Sequence, residues 1–316
     1  MTLSCYHSVK RTSGNSFSRP PSVPIAVFAG FTGDRSGSMM SMAEQAADGL
    51  YEFIKSNASS AINQGQLGFI SATTFDDTAI IRLDNVPAED IEISASECRE
   101  WMKPDGCTRL YDTAIEDLAR LQRREREWRA NLPEHIKALN PKTTIVWSLM
   151  TDGFNNASQF TAEDFRNAVQ KARKNDVICY FLAANQDACA TGERYGFSAE
   201  QSITFDSTPA TCTQAMRAVT TSALRCASGY SDVNFTQVMR QRSAPASFDA
   251  EDNEDYESDN NNIPLPTQPY RAHLRQPAQS RLGGLPPRIL RMTRGGTLAT
   301  PPIPTQILNN RIMKRS

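Results

Sequence analysis

The chain has 316 residues, enough for one large domain or two modest ones, and 39% of them are hydrophobic, which is low for a chain packed throughout. Its formal net charge of −1 gives no general attraction to nucleic acid or to a membrane surface. Its apolar runs are shorter than the roughly 18 residues of a membrane-spanning helix, and residues 1–22 lack the continuous apolar stretch of a secretory signal.

The cysteines and histidines indicate the redox state of the chain and argue against a zinc site. Seven cysteines are scattered along the sequence without a CxxC pair. Without a secretory signal, this pattern predicts reduced thiols and a cytoplasmic location. His7, His135 and His273 lie apart from any cysteine pair, so the residue types that hold zinc are not grouped.

Composition divides the chain into three parts: a leader at 1–22, a domain at 23–242 and a tail at 243–316. The leader is polar and rich in Ser, and we expect it to be disordered. It contains Lys10, Arg11 and Arg19 but no acid, which leaves an organelle transit peptide as the alternative.

The tail changes charge along its length. Residues 249–259 are acidic, whereas 263–316 are basic and rich in Pro and Arg, without any Asp or Glu. Such segments bury too little apolar surface to offset the entropy of ordering, so we expect the tail to be disordered. The basic part could bind nucleic acid, but its charges are dilute, and a solvated linker is the favoured interpretation.

Strand and helix patterns alternate along residues 23–242. Apolar runs of strand length occur at 25–31, 67–75, 78–86, 144–150, 177–184 and 203–205. Apolar residues at helical spacing occur at 42–56, at 110–130, after Thr161 and at 211–226. Only Asp76 and Asp77 separate the second run from the third, which indicates a hairpin. The order predicts an α/β fold: a doubly wound, mostly parallel Rossmann-like sheet with helices on both faces and the hairpin as an antiparallel edge.

Five oxygen-bearing side chains stand where predicted strands end or a predicted helix begins. They are Asp34, Ser36 and Ser38 after the first strand, Asp152 after the fourth, and Thr108 before the second helix. Because the carboxyl ends of parallel strands open on one crevice, we expect these side chains to lie together.

The chemistry of these five residues predicts a magnesium or manganese site. Carboxylates and hydroxyls, without nitrogen or sulfur, are the donors that Mg²⁺ and Mn²⁺ prefer. Gly37 relieves backbone crowding in the turn that carries Ser36 and Ser38. With hydroxyls supplying much of the inner shell, the site would keep residual positive charge and an open position for an external carboxylate.

Asp34-x-Ser36-x-Ser38, Thr108 and Asp152-Gly153 resemble the metal-ion-dependent adhesion site of von Willebrand factor A (VWA) domains. Residues 106–112 are similar to the G-x-T-x-L-Y-D segment of that family, and 184–188 to a stretch of its short intracellular, prokaryote- and phage-type members. The resemblance covers about 23–240. It implies a Mg²⁺-dependent protein–protein interaction module whose partner supplies an Asp or Glu carboxylate.

One departure from the VWA pattern precedes the first candidate ligand. Gly30, Thr32 and Gly33 stand where relatives usually carry apolar residues. We expect this substitution to loosen the end of the first strand without removing a ligand.

Two other functions fit the same fold. A Mg²⁺-dependent phosphohydrolase would need a second activated group, but position 36 is Ser rather than Asp and no His lies near the motif. The sequence also contains no GxxxxGK[ST] phosphate loop. We therefore predict a binding protein rather than an enzyme. A structural protein that uses the metal as a staple is the remaining alternative.

Several residues near the candidate site have two interpretations each. Asp112 could support a metal ligand or could simply be an acid in the first turn of a helix. The stretch 185–187 could line the crevice or satisfy its own loop, and Arg35 could select an acidic partner or be solvated. Residues 123–129 alternate Arg with Glu, which predicts a salt-bridged helix surface.

Overall fold

Six strands form one sheet in the computed structural model of this chain, which describes residues 25–153 and 155–245. The strands are β1 (Ala26–Asp34), β2 (Leu67–Phe75), β3 (Ala79–Pro87), β4 (Thr143–Thr151), β5 (Val177–Ala184) and β6 (Ser202–Phe205). Their order across the sheet is β3-β2-β1-β4-β5-β6, and only β2 and β3 pair antiparallel. The predicted sheet with an antiparallel edge hairpin is therefore confirmed.

Helices cover both faces of the sheet. They are α1 (Ala43–Asn63), α2 (Ala95–Trp101), α3 (Leu110–Ala130), α4 (Glu134–Lys137), α5 (Ala162–Lys174), α6 (Ala188–Arg194), α7 (Pro209–Ala227) and α8 (Gln237–Ser243). The core beneath α1, α2 and α7 is separate from the core beneath α3 and α5. Within the described ranges, no helix has the length and apolar character needed to span a bilayer.

The strand β1 is buried along its whole length because it lies in the middle of the sheet. Phe28 points into the core of α3 and α5, whereas Phe31 points into the core of α1 and α7. Every residue of β1 is buried, as are the last seven of β4. A strand covered on both sides reads as a continuous apolar run, which explains the TIVWSLM sequence of β4.

The expected loosening at the end of β1 does not occur. The strand pairs without interruption to Asp34, with Gly33 opposite Thr74 on one side and Met150 on the other. A Cβ on Gly30 would lie 2.9 Å from Leu121 Cδ2, so glycine lets α3 approach the sheet. Gly30 lets α3 pack closely on β1, and the strand stays paired to its end. The predicted loosening was therefore wrong.

Thr32 belongs to a buried polar network between α3 and the sheet. Its hydroxyl donates to Asp117, and it accepts a hydrogen bond of 2.8 Å from Trp147 Nε1. Asp117 also accepts from Thr73 at 2.7 Å and pairs with Arg120. Since buried polar groups are costly unless paired, this network fixes α3 to β1 and β2.

Four short helices, α2, α4, α6 and α8, had no predicted counterpart. Each has only four to seven residues, too few to repeat an apolar stripe. The last of them, α8, ends at Ser243, whose carbonyl accepts from Asp206 N at 3.2 Å, and Ala244 is buried. The predicted leader at 1–22 and the part of the predicted 243–316 tail that follows Pro245 lie outside the described residues.

Candidate metal centre

The neighbouring strands β1 and β4 bring two candidate acids to the same edge of the sheet. Asp34 is the last residue of β1 and is fully buried, and Asp152 follows β4 directly. The Thr151 hydroxyl donates to Asp34 Oδ2 at 2.6 Å. Parallel pairing of β1 with β4 therefore sets the two carboxylates side by side, as the sequence predicted.

The turn after β1 directs its hydroxyls toward these acids. Ser36 N donates to Asp34 Oδ1 at 2.8 Å, which folds the turn back over the strand end. The hydroxyls of Ser36 and Ser38 are 3.1 Å apart, and Ser38 Oγ donates to Asp152 Oδ1 at 2.8 Å. Asp34, Ser36 and Ser38 thus form a run of hydrogen-bonded groups that reaches Asp152. A short 3-10 helix, Gly37–Ser41, continues the chain.

Thr108 joins the same group from the segment before α3. It is 3% exposed. A Cβ on Gly153 would lie 3.5 Å from Thr108 Oγ1 and 3.7 Å from Ser38 Oγ, so the two hydroxyls flank a position without a side chain. All five candidate ligands therefore lie together.

The electrostatics of the two acids are unfavourable without a cation. Burial raises the pKa of Asp34 from 3.8 to about 6; hydrogen bonds from Thr151 and Ser36 lower it in part, and the charge of Asp152 raises it further. Burial also raises the pKa of Asp152. A divalent cation beside both would offset this cost.

The donor set fits a hard cation. Across the described ranges, no three His, Cys, Asp or Glu side chains cluster in a way that could hold a metal ion. A cation at this edge would therefore depend on Ser and Thr hydroxyls as well as on the two carboxylates. Such an all-oxygen set suits Mg²⁺ or Mn²⁺. Ser38 is exposed and Asp152 half-buried, so the group faces solvent.

The loop after Asp152 caps the helix that follows Thr108. The N-cap residue of α3, Arg109, makes no side-chain cap. Instead, Asn156 Oδ1 accepts from Thr108 N at 2.7 Å, Asn155 Oδ1 from Leu110 N at 3.1 Å and Ser158 Oγ from Tyr111 N at 2.9 Å. These contacts join two ligand-bearing loops. They were not predicted from the sequence, although an Asn- and Ser-rich run after Asp152-Gly153 could have suggested them.

Asp112 completes this junction. Its carboxylate accepts from Gln159 N at 3.0 Å and from Phe160 N at 2.8 Å, and it pairs with Arg109 at 3.1 Å. Its partners are thus in the β4–α5 loop and on α3 itself, not among the candidate ligands. Asp112 positions the loop rather than a ligand.

Two other predictions near the site have clear outcomes. Arg35 is neither solvated nor free to meet a partner, because it pairs with Asp76 and its side chain is 14% exposed. Within the 185–187 stretch, Asp187 caps the following helix α6 by accepting from Ala190 N at 3.0 Å, whereas Asn185 Oδ1 accepts from Ser207 N at 2.9 Å in the loop after β6.

A cavity of about 760 Å³ opens at the opposite edge of the sheet. Three of the charged side chains that line it, Glu125, Arg129 and Arg173, already have partners within the chain. Arg129 binds Glu125, the Pro141 carbonyl and Thr143, and Arg173 binds the Gly196 carbonyl. We therefore place the candidate site at the carboxyl edge rather than in this cavity.

Comparisons with known proteins give structural likenesses only, since neither a family model nor a curated protein matches. The chain is similar to proximal thread matrix protein 1 of the mussel byssus, with 16% identity, a TM-score of 0.41 and coverage of 64% of this chain and 46% of that one. One structure of the mussel protein has a zinc-occupied MIDAS motif.

Two further structures are described as von Willebrand factor domains. The type A protein from Catenulispora acidiphila has 16% identity and a TM-score of 0.39 over 64% of this chain and 43% of that one. The domain of the pili tip protein Mfa5 from Porphyromonas gingivalis has 11% identity and a TM-score of 0.43, over 63% and 95%. The chain thus spans less than half of the mussel and Catenulispora chains. Values this low leave the family and the metal to be argued from the residues of this chain.

Proposed function

We propose that this domain is a metal-dependent protein-interaction module. Its site would hold one Mg²⁺ or Mn²⁺ ion and bind a carboxylate of a protein partner. The residues that would hold the ion are Asp34, Ser36, Ser38, Thr108 and Asp152.

One observation carries the proposal: two partly or fully buried acids lie side by side, bridged by hydroxyls and without a cationic partner. Ser38 Oγ bonds Asp152 at 2.8 Å and lies 3.1 Å from Ser36 Oγ, while Asp34 is bonded only by neutral donors. In the described part of the chain, no Arg or Lys pairs with either acid. A site organised in this way is suited to an external cation.

The five oxygen donors leave room for a partner. Mg²⁺ demands octahedral coordination, so when bound it would offer a remaining position to an Asp or Glu oxygen of another protein. Gly37 and Ser38 are exposed, and Gly153 presents no side chain toward the hydroxyls of Thr108 and Ser38. The chain therefore keeps the approach to its candidate ligands open.

Exposed apolar side chains in two of the ligand-bearing segments favour a protein partner. Met40, two residues after Ser38, is 70% exposed, and Phe160, in the loop after Asp152, is 46% exposed. Large apolar groups in both ligand-bearing loops would contribute buried area to a protein interface. A site that only stored or sensed ions would have no use for them.

Binding fits the residues better than catalysis does. Position 36 is Ser, so Asp34 has no acid or base two residues on. Within the described ranges the histidine is His135, on α4, which precedes the amino end of β4 at the opposite edge of the sheet. Among the described residues, no histidine therefore lies beside Asp34 to act as a general acid or base.

Affinity purification tests the proposal. The wild-type chain would be compared with Asp34→Ala, and with Asp48→Ala as a control on the exposed surface of α1, each with Mg²⁺ and with a chelator. We expect a protein that is retained by wild type and Asp48→Ala in Mg²⁺ and lost in Asp34→Ala or on chelation. Replacing an Asp or Glu of that protein should then release it. Retention that ignores both Asp34 and the metal contradicts the proposal. Mg²⁺-dependent phosphate release that is lost in Asp34→Asn would favour an enzyme instead.

A further inference from the structure

The turn between β2 and β3 lies beside both segments that carry hydroxyl ligands. Asp76 follows β2, which is the neighbour of β1 on the side away from β4. It is 2% exposed although it stands in a turn. Thr78 fixes its carboxylate with hydrogen bonds of 2.8 Å from the backbone N and 2.9 Å from the hydroxyl to Oδ1. The other oxygen, Oδ2, is left for a partner outside the turn.

That partner is Arg35, which stands between the candidate ligands Asp34 and Ser36. Its guanidinium pairs with Asp76 Oδ2, and its backbone N donates to the Phe75 carbonyl at 2.7 Å. The side chains of the pair are 14% and 3% exposed. The turn after β1 is thus attached to β2 through the backbone of Arg35, and to the β2–β3 turn through its side chain.

The same two residues also hold the segment before Thr108. Arg35 Nη1 donates to the Lys103 carbonyl at 3.1 Å, and the Arg35 carbonyl accepts from Asp105 N at 2.9 Å. The Asp76 carbonyl accepts from Arg109 N at 2.7 Å, one residue after Thr108. The side chain of Arg35 thus reaches the β2–β3 turn and the segment before Thr108, and the backbone carbonyls of Arg35 and Asp76 accept from amides on either side of Thr108.

We infer that the Arg35–Asp76 ion pair positions the Asp34–Ser38 turn relative to Thr108, so that hydroxyls from two separate segments meet at one cation. This role deepens the proposed function and rests on it for its metal-binding readout. Arg35 and Asp76 are positioning residues, because neither is a candidate ligand.

Electrostatics and positioning make opposite predictions for Arg35. Its positive charge, next to Asp34, would repel a bound cation, so a purely electrostatic effect of removing it would tighten Mg²⁺ binding. If Arg35 positions the two segments, removing it weakens binding in spite of the lost repulsion. Groups that orient metal ligands typically contribute about ten- to a hundredfold in affinity.

The experiment uses the full chain and Mg²⁺ alone as the probe. Arg35→Met removes the charge and the donors but keeps an unbranched apolar stem like the aliphatic part of Arg. The double variant Arg35→Met/Asp76→Asn also removes the Asp76 carboxylate, which would otherwise be left buried without a cationic partner. This guards against unfolding. Arg99→Met is the matched control, because Arg99 pairs with Asp48 on the surface of α2 and α1. We expect both Arg35 variants to bind Mg²⁺ about tenfold or more weakly, and Arg99→Met to bind as wild type.

A second measurement does not need the metal. In the metal-free protein, hydrogen exchange of the Asp105 and Arg109 amides should be about tenfold or more faster in Arg35→Met and unchanged in Arg99→Met. Equal or tighter Mg²⁺ binding in the Arg35 variants, or unchanged exchange at both amides, overturns the inference. If Asp34→Ala binds Mg²⁺ like wild type, the proposed site fails, and the exchange measurement still decides whether the pair holds the two segments.

Discussion

Buried acids at the two edges of the sheet differ in whether a basic side chain neutralises them. At the amino edge, Glu125 is 7% exposed and is bonded by Arg129 and by the Thr143 hydroxyl. At the carboxyl edge, Asp34 is fully buried, and its hydrogen bonds come from the neutral donors of Ser36 and Thr151. One acid carries its own counter-charge and the other does not. A buried acid that lacks a cationic partner indicates a place for an external cation. By this criterion Glu125 belongs to a structural ion pair, and Asp34 belongs to a candidate binding site.

The largest expected effect is on metal affinity. Asp34→Ala should reduce Mg²⁺ affinity by about a hundredfold or more, because it removes a direct ligand. Ser36→Ala should lose binding to a similar extent, while Thr108→Ala and Asp152→Ala should only weaken it. Titration calorimetry would measure each variant.

Glu125→Ala is the control for this difference between the edges. It alters a buried acid of α3, near the amino edge of the sheet, that already has a cationic partner, so Mg²⁺ affinity should stay at the wild-type value. If Glu125→Ala and Asp34→Ala lose Mg²⁺ equally, the acids act only through general charge and the site assignment is wrong.

The second prediction concerns pH. Mg²⁺ needs the ionised carboxylate of Asp34, whose pKa burial raises to about 6 in the folded chain. Protons should therefore compete with Mg²⁺, and affinity should fall by about tenfold per pH unit below that value. Calorimetric titrations between pH 5 and 8 would test this, with a plateau expected above the pKa. An affinity that is level down to the ordinary pKa of an Asp would mean that Asp34 is not a ligand.

Long repeating patterns located elements in the sequence but did not always predict their ends, since α1, predicted at 42–56, continues to Asn63. The bounds of α3 and β5 match their predicted ranges, because apolar residues recur over the whole element. The helix α2 has a capping box, with Ser94 and Glu97 bonded to each other's backbone N, but only seven residues and no repeating stripe. Its weak apolar signal did not distinguish it from a loop.

The surroundings of the candidate site could not be predicted, because they consist of contacts between distant segments. The three ligand-bearing segments were found from local motifs and strand ends. Asp117 looks like a surface acid paired with Arg120 three residues on, yet it is 6% exposed since Thr32 and Thr73 face it. Arg35 likewise reads as solvated until Asp76 is seen beside it. Neither contact has a period along the chain.

The third prediction is a difference in the sign of two stability changes. In the metal-free protein at pH 7, Asp34→Asn should raise the free energy of unfolding by about 1–2 kcal/mol, because the ionised acid is unfavourable when buried. Glu125→Gln should lower the free energy of unfolding by about 1–2 kcal/mol, because Arg129 loses its acidic partner. Chemical denaturation would measure both.

The pH dependence of stability gives the control for Asp34. A raised pKa means that the folded chain keeps a proton that the unfolded chain releases, so this contribution is full below about pH 4 and is lost as pH rises through about 6. Asp34→Asn should remove that part of the decline. If Asp34→Asn destabilises the metal-free protein as Glu125→Gln does, the two edges do not differ as described.

The smallest expected effect concerns the chain beyond the sheet. We propose that residues after Pro245 form a tail that adds nothing to the folded domain, because 249–259 and 263–316 have no periodic apolar face. Truncation after Pro245 keeps α8, whose Ser243 carbonyl accepts from Asp206 N at 3.2 Å near the end of β6. The melting temperature and the Mg²⁺ affinity should both stay at their full-length values.

Truncation after Gln237 removes α8 and serves as the contrast, with a lower melting temperature. A drop of several degrees on removal of the tail alone would show that it packs on the domain, and a change in Mg²⁺ affinity alone would show that its acidic stretch competes for the site.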